Sequence, residues 1–182
     1  MRVITGTARG RKLESPPDSS VRPTSERAKE ALFSALQFEL ENARVLDLFA
    51  GSGQLGIEAL SRGAGSCVFV DASRESFELC KRNVAHCELM QHARVAQMDA
   101  LAFLRGSRDT FDIALLDPPY RAGLWEELLP LLAPRMSDSG VIVCETPVRD
   151  VVLPETFGDF RAVKTYKHGI ALLTFYRKEL DA

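Results

Sequence analysis

From residue 44 onward, the chain alternates short apolar runs with longer segments in which apolar side chains recur every three or four positions. The apolar runs predict buried strands, and the periodic segments predict amphipathic helices. Predicted strands cover residues 44–50, 66–72, 94–98, 111–116 and 141–144, and predicted helices cover 54–62, 74–87, 101–104 and 125–132. Because strands that alternate with helices need crossover connections, we expect an α/β fold whose parallel sheet carries helices on both faces.

The pattern changes near the end of the chain. Residues 160–167 and 170–177 predict two strands joined through His168 and Gly169, which makes an antiparallel hairpin. Five parallel strands followed by this hairpin give a mostly parallel, seven-stranded sheet, in a domain that covers residues 44–182.

The first 43 residues are predicted to form a small extension. Residues 1–13 can fold as a hairpin, residues 15–23 are rich in proline and serine and predict a loop, and a helix follows from Ser25 to about residue 39. Thr24 or Ser25 can cap the first amides of that helix, and Glu26 suits the positive end of its dipole.

Composition indicates an ordinary soluble domain, with 46% apolar and 26% charged residues. No apolar stretch approaches the roughly 20 residues of a membrane span, and the N-terminus has no apolar segment of signal-peptide length. We therefore expect a cytoplasmic monomer with no membrane partner. The four cysteines form no CxxC pair, and the three histidines add no metal-ligand spacing, so buried thiols and no metal site are predicted.

The net charge of −2 hides a basic N-terminal arm, in which residues 1–29 carry seven basic and three acidic side chains. A basic arm on an acidic body suits a polyanion that touches one edge of the protein, although a merely solvated basic face has the same composition. The side chains of the arm predicted to contact the phosphates of such a partner are Arg9, Arg11, Lys12 and Arg22.

A glycine-rich turn follows the first predicted strand and predicts a nucleotide-type cofactor. Gly51 and Gly53 allow positive backbone dihedrals and close approach of a ligand, and residues 51–56 satisfy GxGxxG. Asp71 ends the next strand, where an acidic side chain accepts hydrogen bonds from ribose hydroxyls. These features alone fit a nicotinamide-dependent dehydrogenase nearly as well as a methyltransferase.

Two further carboxylates favour the methyltransferase. Asp47 suits the ammonium of a methionine moiety and would repel a pyrophosphate, although it can also satisfy loop amides. Asp99 can accept from an adenine amine, although it can also cap a helix. The cofactor-binding residues predicted from this pattern are Asp47, Phe49, Gly51, Gly53, Asp71, Asp99, Ala100 and Leu101.

The tetrapeptide Asp117-Pro118-Pro119-Tyr120 ends the fourth predicted strand and forms the predicted catalytic site. The Asp117 carboxylate and the Pro118 carbonyl are two acceptors that can hold the hydrogens of a base amine and present its nitrogen to a sulfonium methyl group. Tyr120 can stack on the base. Trp125, just beyond, is predicted to pack in the core rather than against RNA. The motif therefore predicts methylation of a nucleobase amine.

A family resemblance is carried by residues 2–6, 10–13, 22–24, 46–64, 117–120 and 166–176. Over nearly its full length the chain resembles the RsmD family of 16S rRNA guanine-N2 methyltransferases. The resemblance implies a Rossmann-like class I methyltransferase fold, S-adenosylmethionine as cofactor, and N2 of one guanine in small-subunit rRNA as target. It also implies that Arg22, Pro23 and Thr24 lie near the cofactor and the base, so that the extension completes the site. Gln54 and Asp71 depart from the usual alanine and glutamate of the family pattern.

Alternatives remain open at this stage. The same tetrapeptide occurs in adenine-N6 methyltransferases, and the N1–H and N2 donors of guanine favour it over adenine only weakly. A nicotinamide-dependent oxidoreductase would leave residues 117–120 unexplained, and a non-catalytic RNA-binding assembly factor would need no cofactor. Either naked RNA or a partly assembled subunit would be the substrate.

Overall fold

The computed structural model describes residues 1–17, 25–119, 121 and 123–179. The helices are α1 (Glu26–Ala35), α2 (Gln54–Ser61), α3 (Arg74–His86), α4 (Ala100–Gly106) and α5 (Leu124–Leu132), with short 3-10 helices at Met90–His92 and Ala133–Arg135. The strands are β1 (Arg44–Leu48), β2 (Ser66–Asp71), β3 (Ala93–Gln97), β4 (Phe111–Leu116), β5 (Met136–Pro147), β6 (Thr156–Phe157), β7 (Phe160–His168) and β8 (Ala171–Lys178).

These strands form one sheet in the order β3-β2-β1-β4-β5-β8-β7-β6. The first five run parallel and place their carboxyl ends at one edge, here called the catalytic edge, while β8 pairs antiparallel with β5 and with β7. The predicted α/β fold is confirmed. The predicted count of seven strands misses β6, a two-residue strand that pairs only with Phe160 and Arg161 of β7.

Each face of the sheet is covered by helices, as an all-parallel core requires. Side chains of α1, α2 and α3 pack on one face, where Phe33, Ile57 and Phe69 are fully buried. Side chains of α4 and α5 pack on the other face, where Leu128 of α5 and Tyr176 of β8 are fully buried. Successive strand residues point to opposite faces, so apolar runs such as residues 113–116 supply buried side chains to both faces of the sheet.

The first residues form a narrow hairpin that lies along α2. Arg2 and Lys12 form an antiparallel bridge, and the amide of Val3 donates to the carbonyl of Arg11 at 3.0 Å. At the turn, Gly6 has a φ of 90° and comes so close to Ser61 that a Cβ would lie 1.7 Å from the carbonyl oxygen of that residue. The turn of the hairpin therefore sits at the C-terminal end of α2, away from the catalytic edge.

Candidate active site

The glycine-rich turn between β1 and α2 has the backbone conformation that its sequence predicts. Gly51 and Gly53 have φ values of 55° and 80°, and Phe49 also has a positive φ, of 75°. A non-glycine residue in this region is strained by about 1–3 kcal/mol, a cost often found at functional sites. A Cβ on Gly51 would meet nothing within 4 Å, so the turn offers open space beside its main chain.

Gly53 and Gly56, the two later glycines of the motif, allow neighbouring side chains to pack against the backbone. A Cβ on Gly53 would lie 2.7 Å from the Cys80 sulfur, and a Cβ on Gly56 would lie 2.3 Å from the ring of Phe69 on β2. Gly56 thus allows α2 to lie close against the sheet, which is the usual role of the third glycine in this motif. Gln54, one of the two residues that depart from the family pattern, begins α2 and is buried.

Asp47 lies beneath the turn and is almost completely buried, with 2% of its surface exposed. One carboxylate oxygen accepts a hydrogen bond from the amide of Gly56 at 2.8 Å. Burial raises the pKa of Asp47 to about 8, against the opposing effect of the Gly56 amide, and the charges of Asp117 and Asp71 raise it further. A cation placed beside Asp47 would favour its ionised form.

Asp71 ends β2, Asp99 lies two residues after the neighbouring strand β3, and both side chains bind backbone amides. Asp71 accepts from the amide of Gly51 at 2.8 Å and from the amide of Ser73 at 2.9 Å, so it holds the glycine turn in place. Asp99 caps α4 by accepting from the amide of Ala102 at 2.9 Å. Both carboxylates are partly or fully exposed at the catalytic edge, and the hydrogen bonds leave each of them with further acceptor capacity.

The predicted catalytic motif follows β4 directly at the same edge. Asp117 is half-buried, Pro118 is half-buried and Pro119 is exposed. Asp117 interacts electrostatically with Asp47 of β1, because the negative charge of Asp117 raises the pKa of Asp47. Trp125 is 9% exposed and packs in the core under the motif, which confirms its predicted place.

A cavity of about 260 Å³ opens beside the two prolines. One wall is formed by residues that follow β4, including Pro118, Pro119 and Trp125, and the other by residues at the end of β5 and just after it, including Glu145 and Val151. Its lining combines proline, tryptophan and valine side chains with charged ones such as Arg121, Glu126 and Asp150. Apolar surface beside polar groups suits a flat heterocycle with hydrogen-bonding edges.

Four predicted site residues lie outside the described part of the structure: Arg22, Pro23, Thr24 and Tyr120. Ala100 and Leu101 begin α4 and are 6% and 5% exposed, so their side chains belong mainly to the core. Ser25 caps α1 by accepting from the amide of Ala28 at 3.1 Å.

The sequence analysis missed a charged cluster that holds the extension on the domain. Glu58 of α2 is fully buried and accepts from the amides of Ile4 and Thr5 at 2.9 and 3.0 Å. Lys29 of α1 is 1% exposed, lies 3.3 Å from Glu58, and donates to the carbonyl of Arg2 at 2.7 Å. Arg62 completes the cluster with an ion pair to Glu58 at 2.8 Å. The signal in the sequence that could have identified this cluster was Glu58, an acidic residue between Ile57 and Ala59 in a predicted helix.

Asn83 is a second missed residue, and it ties the extension to the glycine turn. Its side chain exchanges two hydrogen bonds with the backbone of Glu14, at 2.8 and 3.0 Å. The same side-chain amide donates to the carbonyl of Ser52 at 2.9 Å. Asn83 is 1% exposed, so these bonds form in the protein interior and place residue 14 beside the turn.

The basic side chains of the arm differ in exposure and in their contacts with the rest of the protein. Arg9 and Lys12 are exposed, whereas Arg11 is half-buried, donates to the carbonyl of His86 and forms an ion pair with Glu88 at 3.1 Å. Because the hairpin turn lies at the far end of α2, Arg9 is about one helix length from the catalytic edge. The RNA-binding role of these residues stays a prediction.

All four cysteines are buried free thiols, as predicted, and burial raises the pKa of each. Within the described ranges, no three or more potential metal ligands cluster together. None of the helices in this part of the chain has the length and apolar character needed to cross a membrane.

Comparison with known proteins places this site in a family. Residues 1–177 match the family model described as conserved hypothetical protein 95. The chain is 40% identical over 183 residues to the YlbH protein of Bacillus subtilis strain 168, covering 98% of this chain and 99% of that protein. It is 38% identical over 152 residues to ribosomal RNA small subunit methyltransferase D of Escherichia coli strain K12, covering 82% and 76% of the two chains.

Solved structures agree with the fold. The yhhF protein of Escherichia coli superposes with a TM-score of 0.88 at 34% identity, with 98% of each chain covered. Together with the glycine turn and the Asp117-Pro118-Pro119 sequence at one edge of the sheet, these matches confirm the resemblance drawn from the sequence. The chain belongs to the RsmD family of S-adenosylmethionine-dependent ribosomal RNA methyltransferases.

Proposed function

We propose that this protein transfers a methyl group from S-adenosylmethionine to the exocyclic N2 amine of one guanine in small-subunit ribosomal RNA, as a cytoplasmic monomer. The observation that carries the proposal is the position of Asp117 and Pro118 at the end of β4, on the edge where the glycine turn also lies. In open parallel sheets, ligands collect beyond the carboxyl ends of the strands, so cofactor and base would meet here.

The residues present fit the cofactor. The open space beside Gly51 would receive its main body, Asp71 would accept from ribose hydroxyls, and Asp99 would accept from the adenine amine. The buried Asp47 carboxylate would face the cationic methionine end, and the ammonium there would favour its ionised form against the effect of burial. When bound, S-adenosylmethionine supplies an electrophilic methyl group on its sulfonium.

The protein contributes by positioning the amine. An aromatic amine is a poor nucleophile because its lone pair is drawn into the ring. The Asp117 carboxylate and the Pro118 carbonyl would accept its two N–H groups and direct the nitrogen toward the methyl group. Asp117 would then take the proton released when the amine is methylated, so no covalent enzyme intermediate is needed.

The target base must leave its stack to reach the cavity beside Pro118 and Pro119. An unpaired or extruded guanine is therefore expected. Exposed Arg9, at the hairpin turn, would contact phosphates farther along the RNA, because that turn lies away from the catalytic edge. Exposed Lys12 would contact phosphates nearer the site, because Glu14 lies beside the glycine turn. A footprint that spans both places suits a structured particle better than a short single strand.

The test is methyl transfer from labelled S-adenosylmethionine to small-subunit particles that lack the modification, and to their naked RNA, followed by nucleoside analysis. N2-methylguanosine at one position is the expected product, with the particle as the better substrate. N6-methyladenosine would keep the positioning mechanism and overturn the base assignment. Binding of the cofactor without any methylated nucleoside on either substrate would overturn the proposed function.

A further inference from the structure

We infer that Glu145 is the residue that selects guanine, by accepting a hydrogen bond from N1–H of the target base. The inference rests on the proposed function and adds a specificity-determining group to its site.

The position of Glu145 carries the first part of this inference. Leu116 of β4 and Cys144 of β5 are register partners on adjacent parallel strands, so Asp117 and Glu145 are the next residues on each. Neighbouring strands lie about 4.8 Å apart. Alternation along the two strands places both residues on the same face as Leu115 and Val143, so the two carboxylates belong to one side of the catalytic edge.

The cavity carries the second part. Glu145 lines the cavity of about 260 Å³ together with Pro118 and Pro119, and Glu145 is half-buried. A base held by Asp117 and Pro118 through its amine would therefore have Glu145 within reach of the atoms next to that amine. A carboxylate at this place is partly removed from water, where a hydrogen bond to a charged acceptor is strong.

The chemistry of the base decides which purine fits. Guanine carries a donor at N1 beside its N2 amine, whereas adenine and 2-aminopurine carry an acceptor at N1. A carboxylate can only accept hydrogen bonds when ionised. Guanine therefore pairs with both Asp117 and Glu145, while an N1 acceptor would face the negative charge of Glu145 without a hydrogen. This gives the preference for guanine that Asp117 alone provides only weakly.

The experiment compares guanine with 2-aminopurine, which keeps the exocyclic amine at C2, changes N1 from donor to acceptor and lacks O6, a loss that is the same for every enzyme variant. Particles are assembled on RNA ligated to carry either base at the methylated nucleotide, and kcat/KM is measured for the wild type, Glu145→Gln and Glu41→Gln. Glu41 is an exposed glutamate just before β1, at the opposite edge of the sheet, so Glu41→Gln makes the same charge change away from the site.

The wild type and Glu41→Gln should prefer guanine by about 10- to 100-fold, the range expected for one hydrogen bond to a charged group. Glu145→Gln should bring the ratio close to one, because its amide can donate to N1 of 2-aminopurine. An unchanged ratio in Glu145→Gln, at whatever absolute rate, would overturn the inference while leaving the proposed function standing.

Two further measurements keep the result decisive. If Glu145→Gln forms no product on either base, Glu145→Asp is tested, and it should keep the guanine preference because it keeps the charge. Loss of the preference in Glu145→Asp would count against the inference. Absence of N2-methylguanosine with the wild-type enzyme on guanine particles would instead overturn the proposed function, and the inference with it.

Discussion

Lys29 and Glu58 form an ion pair inside the protein: their charged atoms lie 3.3 Å apart, and their side chains are 1% and 0% exposed. Burial lowers the pKa of Lys29, and the charge of Glu58 opposes that effect. Glu58 also binds the amides of Ile4 and Thr5, so the pair joins α1, α2 and the N-terminal hairpin.

Replacing Lys29 with methionine should lower the free energy of unfolding by about 3–5 kcal/mol, because it leaves Glu58 buried with one cation fewer. Chemical denaturation measures this loss, and Arg27→Met on the exposed face of the same helix serves as the control. The double variant Lys29→Met/Glu58→Gln should lose less than the sum of the two single variants. A loss below about 1 kcal/mol in Lys29→Met would contradict the structural importance of the pair.

Asp47 should make the folded protein less stable as the pH rises, which is the opposite of the usual effect of a carboxyl group. Its pKa in the folded protein is about 8, above the value of about 3.9 expected in the unfolded chain. The folded state therefore holds a proton that the unfolded state has released, and this contribution to stability is complete below pH 4 and lost as the pH rises to 8.

Asp47→Asn removes this titration and keeps an oxygen that can accept from Gly56. Its stability relative to the wild type should increase by at least about 1 kcal/mol between pH 5.5 and pH 8.5. Thermal unfolding at both pH values measures the difference, with Asp159→Asn at an exposed position as the control. Equal effects at the two pH values would show that the pKa of Asp47 is not raised. Cofactor affinity should fall in Asp47→Asn at either pH.

Asp117→Ala should reduce kcat for methyl transfer by at least about 100-fold, because it removes both an acceptor for the amine and the group that takes the proton. Cofactor affinity, measured by calorimetry, should stay within about threefold of the wild type, since Asp117 acts on the base. Asp117→Asn should fall between the two enzymes. If Asp117→Ala loses cofactor binding and activity together, the assigned role is wrong.

Asn83→Ala should loosen the junction between the extension and the glycine turn. It removes three hydrogen bonds made by a residue that is 1% exposed, two to Glu14 and one to Ser52. We expect a stability loss of about 1–3 kcal/mol and faster hydrogen exchange at the Glu14 amide. Cofactor affinity should fall several-fold. Gln37→Ala, on the exposed surface beyond α1, is the matched control, and unchanged exchange at Glu14 would refute the coupling.

Neutralising Arg9 and Lys12 should weaken RNA binding and reduce its dependence on salt. Each lost phosphate contact lowers the slope of log K against log salt by about 0.7–0.9. Arg11→Gln should have a smaller effect, because Arg11 is already paired with Glu88. Arg105→Gln/Arg108→Gln, at exposed positions in the last turn of α4 and just after it, controls for net charge. A salt slope that does not change in Arg9→Gln/Lys12→Gln would show that the arm does not touch phosphates.

The strands were predictable where an apolar run has sharp polar limits. The predicted range 111–116 matches β4, whereas β5 begins at Met136, five residues before its prediction. Residues 137–140 are polar and glycine-containing, and they join the strand through a shift in register between Phe111 and Ile113 of β4. Such a bulge depends on the neighbouring strand and leaves no local pattern.

The site was predictable where one local segment carries the chemistry. The glycine turn and Asp117 follow strands directly, so a short motif specifies both their conformation and their edge of the sheet. Glu58 and Asn83 bind backbone groups that are 31 to 69 residues away in sequence. No periodicity of either helix specifies these partners, because they depend on how the extension packs against the domain.

The two-residue strand β6 has a consequence for the behaviour of the protein at high concentration. It pairs only with Phe160 and Arg161, so in the described part of the sheet the outer backbone of β7 from Lys164 to His168 faces no other strand. An open strand edge is a template for aggregation, and charged side chains along it oppose docking of a second molecule. Lys164 and Lys167 are both exposed there. We therefore expect their charges to oppose edge-to-edge pairing of two molecules through β7. Acetylation of these two lysines would remove the charges and favour such pairing without changing the catalytic groups.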